Sequence, residues 1–265
     1  MKKIVYNILG LTMLLASCST IENREDLGPV LTASELKIAI VQNPAGSNSV
    51  VLQNKTAGVI MYWDYGTGAS HRAIDTIYIP FKGTFKLKYT AFCAGGTVTD
   101  STTFTIAADD QTFFDKDKAW RGLTNGGTGQ TWVFAVDPNN TSKNIGGNGP
   151  ENSLIPAWWT MDKNGLAGQM SAPYSMADEV YMDLQGAANF VVKHADGSQS
   201  KGFFNVVAPY VNSGVSYSGI EVLGATKFPW PTSGKYHFTV MSKDSLSVHD
   251  YAAYNIALYK RKGAY

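Results

Sequence analysis

Between residues 85 and 91 the chain alternates strictly: Phe85, Leu87, Tyr89 and Ala91 are apolar, while Lys86, Lys88 and Thr90 are polar. A period of two marks a strand with one buried face. Gly95 and Gly96 then supply a turn, and the Thr-rich residues 98–106 supply the returning strand. Upstream, residues 50–52 and 59–65 add β-branched and aromatic runs. These signals predict a compact antiparallel, Ig-like sandwich over residues 31–108. The same kind of signal recurs at residues 131–136, 179–184, 189–194, 202–207, 219–223, 236–241, 245–249 and 254–260, with Asp196-Gly197 as a hairpin turn. Long amphipathic helical stretches are absent, so the chain reads as all-β. The second run of strands predicts a larger β-sandwich of jelly-roll type over residues 109–265. The boundary falls near Asp109, in an acidic, polar stretch after which five of the six tryptophans lie.

The first residues follow a different pattern. Met1, Lys2 and Lys3 precede an apolar run over residues 4–14, which ends in Leu15, Ala16, Ser17 and Cys18. A charged start, a short apolar core and small residues at the end describe a signal peptide over residues 1–17. The run is shorter than the roughly 20 residues that span a bilayer, and Asn7 and Thr12 interrupt it, which argues against a transmembrane helix. Its ending resembles the lipobox of bacterial lipoproteins, which implies that Cys18 is acylated and anchors the chain to a membrane. The alternative is a plain secretory peptide in which Cys18 is incidental. Each buried methylene of an acyl chain contributes about 0.8 kcal/mol. Residues 18–30 are polar and read as a tether. The acidic residues in it resemble the surface-export signal of some Gram-negative lipoproteins, which implies the outer membrane and the cell surface.

Composition narrows the function classes. With Cys18 committed to lipid, Cys93 is the only other cysteine, so neither a disulfide framework nor a cysteine-rich zinc site is available. A net charge of +1, with Lys260, Arg261 and Lys262 as the one basic run, leaves no electrostatic footprint for nucleic acid. His71, His194, His237 and His249 are scattered without metal spacing, and no Gly-x-Ser-x-Gly elbow occurs. Asp178, Glu179 and Asp183 are the one carboxylate cluster that could serve a glycoside hydrolase, which needs two carboxylates facing across a bond. Tyr181 stands between Glu179 and Asp183 on their strand face, and a solvated face is the competing reading. No catalytic residue is therefore assigned, and no cofactor is expected. Asp137, Asn139, Asn140, Asn144 and Asn148 offer oxygen ligands for a structural Ca²⁺, although a plain turn uses the same residues.

Two resemblances give the strands a context. Trp63, Asp64, Tyr65, Gly66, Thr67 and Gly68, followed by residues 76–79 and by Lys82, Gly83, Thr84, Phe85, Lys86 and Leu87, look like a polycystic-kidney-disease-type (PKD) domain. That likeness implies a spacer or interaction module with Trp63 in its core. Residues 111–262 resemble the carbohydrate-binding-like C-terminal modules of surface lipoproteins in polysaccharide-utilisation systems. The likeness is carried by Leu123 to Gly127, Thr131, Trp132, Val133, Asp137, the Trp158-Trp159 pair, Ala177 to Leu184 and Asp244 to Leu246. It implies capture of a polysaccharide beside an outer-membrane transporter.

The residues themselves point the same way. Trp158 and Trp159 follow Pro156, and Trp230 lies between Pro229 and Pro231, all in stretches read as loops. A flat aromatic ring matches the apolar face of a sugar, and nearby polar groups match its edges. Trp158, Trp159 and Trp230 are thus the candidate stacking platforms, with Asp162 and Asn164 as hydrogen-bonding partners. Two other functions stay open: a divergent β-sandwich glycoside hydrolase, and a structural or protein-binding module in which the tryptophans fill the core.

Overall fold

A computed structural model describes residue 28, residues 30–251 and residues 253–264. The signal peptide, Cys18 and nearly all of the tether lie outside the described residues. The chain is mostly strand, as the alternation predicts.

The first domain holds β1 (Ile38–Gln42), β2 (Ser49–Asn54), β3 (Ile60–Asp64), β4 (Ala69–Ser70), β5 (Ile74–Tyr78), β6 (Gly83–Cys93) and β7 (Gly96–Ile106). Two antiparallel sheets, β1-β2-β5 and β4-β3-β6-β7, enclose one core. On β6 the apolar set Phe85, Leu87, Tyr89 and Ala91 is buried, whereas Lys86 and Lys88 are exposed. Trp63 is fully buried, and its indole N–H donates to the Arg72 carbonyl at 2.8 Å, so even its one polar atom is satisfied.

The acidic stretch between the domains is a packed junction. Asp110 and Asp117 are the N-caps of two short helices, α1 (Gln111–Phe114) and α2 (Lys118–Gly122), accepting from Phe113 N and Ala119 N. Asp109 accepts from the backbone N–H of Lys82 at 2.7 Å, and the Tyr78 hydroxyl donates to Asp110. Phe81 joins both cores, with its ring 5.5 Å from that of Phe114 and 6.5 Å from that of Trp120. The acidic residues at the domain boundary therefore serve as caps and clasps.

The second domain holds β8 (Gln130–Phe134), β9 (Gly146–Asn148), β10 (Trp159–Met161), α3 (Lys163–Ala167), β11 (Glu179–Asp183), β12 (Asn189–Lys193), β13 (Gln199–Asn212), β14 (Val215–Leu223), β15 (Lys235–Met241), β16 (Ser245–Asp250) and β17 (Asn255–Arg261). From β11 to β17 every strand pairs antiparallel with its chain neighbour. β8 joins β11 on one side and β17 on the other, through Val180↔Trp132 and Tyr259↔Phe134. The result is an eight-stranded barrel, with β9 and β10 attached outside along the first half of β17. The jelly-roll expectation is corrected here. Five of the six connections from β11 to β17 are short, and short connections favour pairing between neighbours over Greek-key crossing.

A barrel of eight strands is just wide enough to be filled by side chains. Trp132, Phe134, Phe190, Phe204, Tyr236, Phe238 and Tyr259 fill this one, so its interior is a packed core. At the end nearest the first domain, α1 and α2 bring Phe114 and Trp120 against it, with Trp120 5.5 Å from Phe204. The segment between β14 and β15 turns Phe228 and Trp230 into the core at the far end. There Phe228 meets Phe190, Tyr236 and Tyr259 edge-on, and the Tyr259 hydroxyl donates to the Trp230 carbonyl at 2.6 Å.

Candidate functional site

The outer face of β15–β17 is crossed by a strap, residues 149–158, that leaves β9 and returns to β10. Its two ends are pinned together, since Ala157 N and Trp158 N both donate to the Asn148 carbonyl, at 2.9 and 3.0 Å. Gly147 makes this closure possible. Its φ is +146°, and a Cβ there would stand 1.9 Å from the Trp159 carbonyl oxygen.

The underside of the strap is held by one buried and one half-buried side chain. His237 donates from Nε2 to the Glu151 carbonyl at 2.8 Å, and the Thr239 hydroxyl donates to the Ser153 carbonyl at 2.8 Å. Because Thr239 has one proton and uses it there, the 2.9 Å contact with His249 makes His249 Nε2 the donor. Both imidazoles then carry their proton on Nε2 and leave a buried, unpartnered Nδ1. They are cross-strand neighbours 4.8 Å apart, with Tyr210 stacked on His237 at 4.2 Å. Burial pushes both below the usual imidazole range, and the neighbouring His237 adds to the effect on His249, which falls to about 3.

The upper side of the strap presents aromatic rings to solvent. Trp158 is 64 % exposed, Tyr254 48 % and Trp159 44 %. The Trp158 and Tyr254 rings lie 5.7 Å apart at 56°, and Gly149 N donates to the Tyr254 carbonyl at 3.1 Å, which fixes that partner relative to the strap. Farther along, Leu154 and Ile155 edge a cavity of about 440 Å³ floored by Val136, Val240 and Leu258 and rimmed by Asp137, Asn139 and Lys143. The combination is a rigid aromatic shelf beside an apolar hollow with a polar rim.

The sequence-derived candidates separate into two groups. Trp158 sits on the shelf against Tyr254, and Trp159 is exposed at the start of β10. Trp230 does not: it is 8 % exposed, its ring belongs to the core, and that assignment as a platform is corrected. The reason is that a filled barrel must cover its open end, and this apolar segment does so. Asp162 is the N-cap of α3 and accepts from Gly165 N at 2.9 Å, and Asn164 is exposed on the same helix. Tyr254 was not singled out by sequence, because only the β9–β17 pairing brings it beside Trp158.

The other clusters are engaged in local structure. Glu179 pairs with Lys262, and Asp183 accepts from Gln185 N and Asn189 Nδ2, at 2.8 and 2.6 Å. Neither carboxylate lines the cavity beside the shelf. Asp137 closes a turn by accepting from Asn139 N at 2.9 Å. Among the described residues, no group of three or more His, Cys, Asp or Glu side chains is placed to hold a metal. No protein-family model matches the chain, and no curated protein matches it.

Proposed function

We propose that this protein is a lipid-anchored cell-surface protein that captures a polysaccharide, without cleaving it, on the exposed rings of Trp158, Tyr254 and Trp159. In this reading Cys18 carries the anchor, the PKD-like first domain is the spacer, and the barrel presents the shelf to polymer near an outer-membrane transporter. The observation that carries it is the exposed contact between Trp158, at the end of a strap held by backbone hydrogen bonds, and Tyr254 beside it. Rings already fixed in place lose little conformational freedom when a sugar face covers them. Repetition along the polymer then multiplies weak single contacts.

The test is affinity electrophoresis against soluble β-glucans, α-glucans, xylans and mannans, with a Trp158→Ala/Tyr254→Ala double variant alongside. Retardation by one polymer, lost in the folded variant, supports the proposal. No retardation by any of them refutes it. A second reading, a protein-binding surface, is favoured by Leu154 and Ile155, each more than half exposed. Branched aliphatic side chains suit a protein partner better than a sugar ring. A Leu154→Ser/Ile155→Ser variant that keeps polymer retardation would assign the two patches to separate roles.

A further inference from the structure

Three adjacent strands bring a second constellation together at the far end of the barrel. Asp178 immediately precedes β11, His194 immediately follows β12, and Ser200 lies near the start of β13. The registers Val180↔Val192 and Val192↔Ser200 set them side by side, and all three continue the inward-facing rows of their strands. Asp178 Oδ2 is 2.9 Å from His194 Nδ1, and His194 Nε2 is 2.8 Å from Ser200 Oγ. The other carboxylate oxygen of Asp178 accepts from the Ser175 hydroxyl at 2.7 Å. Asp178 and His194 are buried, whereas Ser200 is half-buried.

The bonding order fixes the chemistry. A carboxylate accepts and does not donate, so Nδ1 of His194 carries a proton, and in the neutral imidazole the Nε2 lone pair then faces the Ser200 hydroxyl. The arrangement is that of a base ready to take the proton of a nucleophile, with the base held by a buried acceptor. A tie between strands needs only neutral partners, whereas a buried carboxylate carries a desolvation cost of several kcal/mol. The Tyr174 ring lies 5.7 Å from that of His194 and also lines a cleft of about 350 Å³ with Met170, Ala172, Lys227 and Trp230, while Ser200 itself is only half-buried and so keeps part of its surface open.

We propose that Ser200 and His194, with Asp178 as the positioning residue, form a nucleophilic relay that hydrolyses esters of small acyl groups. Ser200 Oγ bonds to the acyl carbon as its proton passes to His194 Nε2. The bond from that carbon to the alcohol oxygen breaks, and the alcohol leaves with the Nε2 proton. Water then attacks the acyl-serine, gives a proton through Nε2 back to Oγ, and releases the carboxylic acid. This activity is independent of polymer capture on the strap, about which it makes no assumption.

The test is a fluorophosphonate probe on the full-length protein, with the modified residue located by mass spectrometry and p-nitrophenyl acetate turnover followed in parallel. One label per chain on Ser200 is expected, with fluoride released as the Oγ–P bond forms. Ser200→Ala should lose label and turnover while keeping its melting temperature. Asp178→Asn, which keeps the side-chain shape, and His194→Gln should each slow labelling by about 10²- to 10⁴-fold. The two variants, one of the base and one of the residue that positions it, guard against one failing to fold. Labelling of another serine, an unchanged rate in a folded Asp178→Asn or His194→Gln protein, or no labelling at all would overturn the proposal.

Discussion

Two segments of this protein carry the same local signal, a tryptophan beside proline between strands, and the fold gives them opposite fates. In the segment of Phe228, Pro229, Trp230 and Pro231, both aromatic rings turn inward and stop the far end of the barrel. In the segment from Pro156 to Trp159, the chain lies across the outside of a wall already complete, and its rings remain in solvent. Residue type alone does not separate the two. What separates them is whether uncovered apolar surface lies within reach, because burial follows the available apolar area.

The largest expected effect comes from emptying the plug. Trp230→Ala should cost about 3–5 kcal/mol, the range for a large aromatic removed from a core, read as a lower midpoint in urea unfolding. A change below about 1 kcal/mol would mean that the barrel end is closed by something else.

The next effect concerns what holds the strap down. His237 and His249 are buried neutral and have pKa values below the ordinary imidazole value, so the unfolded chain binds protons that the folded chain refuses. Stability is therefore lost as pH falls through the ordinary value of 6.5, and for His249 the loss continues toward about 3. Each histidine contributes at most about 1.4 kcal/mol per pH unit within that window. His249→Asn should flatten the dependence of melting temperature on pH between about 6 and 4. An unchanged slope would remove His249 as its source.

Smaller effects follow at the strap's exit. Asp162→Ala removes the cap of α3 and should cost about 1 kcal/mol. It should leave polymer retardation intact if the carboxylate acts only as a cap, whereas lost retardation at full stability would return Asp162 to the sugar site. Trp158→Ala should change stability by less than about 0.5 kcal/mol, since most of its ring is already in water. A cost comparable to that of Trp230→Ala would erase the distinction between the two segments.

The relay at the barrel's far end shows how partial a sequence reading of a site can be. Asp178 was visible only as one member of an acidic run, and His194 as an isolated histidine on a strand. His194 lies sixteen positions beyond Asp178, and Ser200 six beyond His194. No fixed sequence spacing encodes such a contact, because it depends on which strands pair and in what register. Trp158 and Trp159 were readable for the opposite reason: apolar rings next to a proline stand out locally, whatever their surroundings.

Alternation along β6 determined by itself that this strand buries Phe85, Leu87, Tyr89 and Ala91, and the repeated strand signals that the chain is all-β, since a period of two is a property of the extended backbone. The composition also ruled out a disulfide-stapled fold among these strands, with Cys93 the only cysteine between residues 19 and 265. Only the tertiary structure decided that the second set of strands closes on β8, that Trp230 is a plug while Trp158 is a shelf, and that Asp178, His194 and Ser200 meet. Those outcomes depend on long-range pairing and on where a closing sheet leaves apolar surface uncovered, and neither is written in any short stretch of residues.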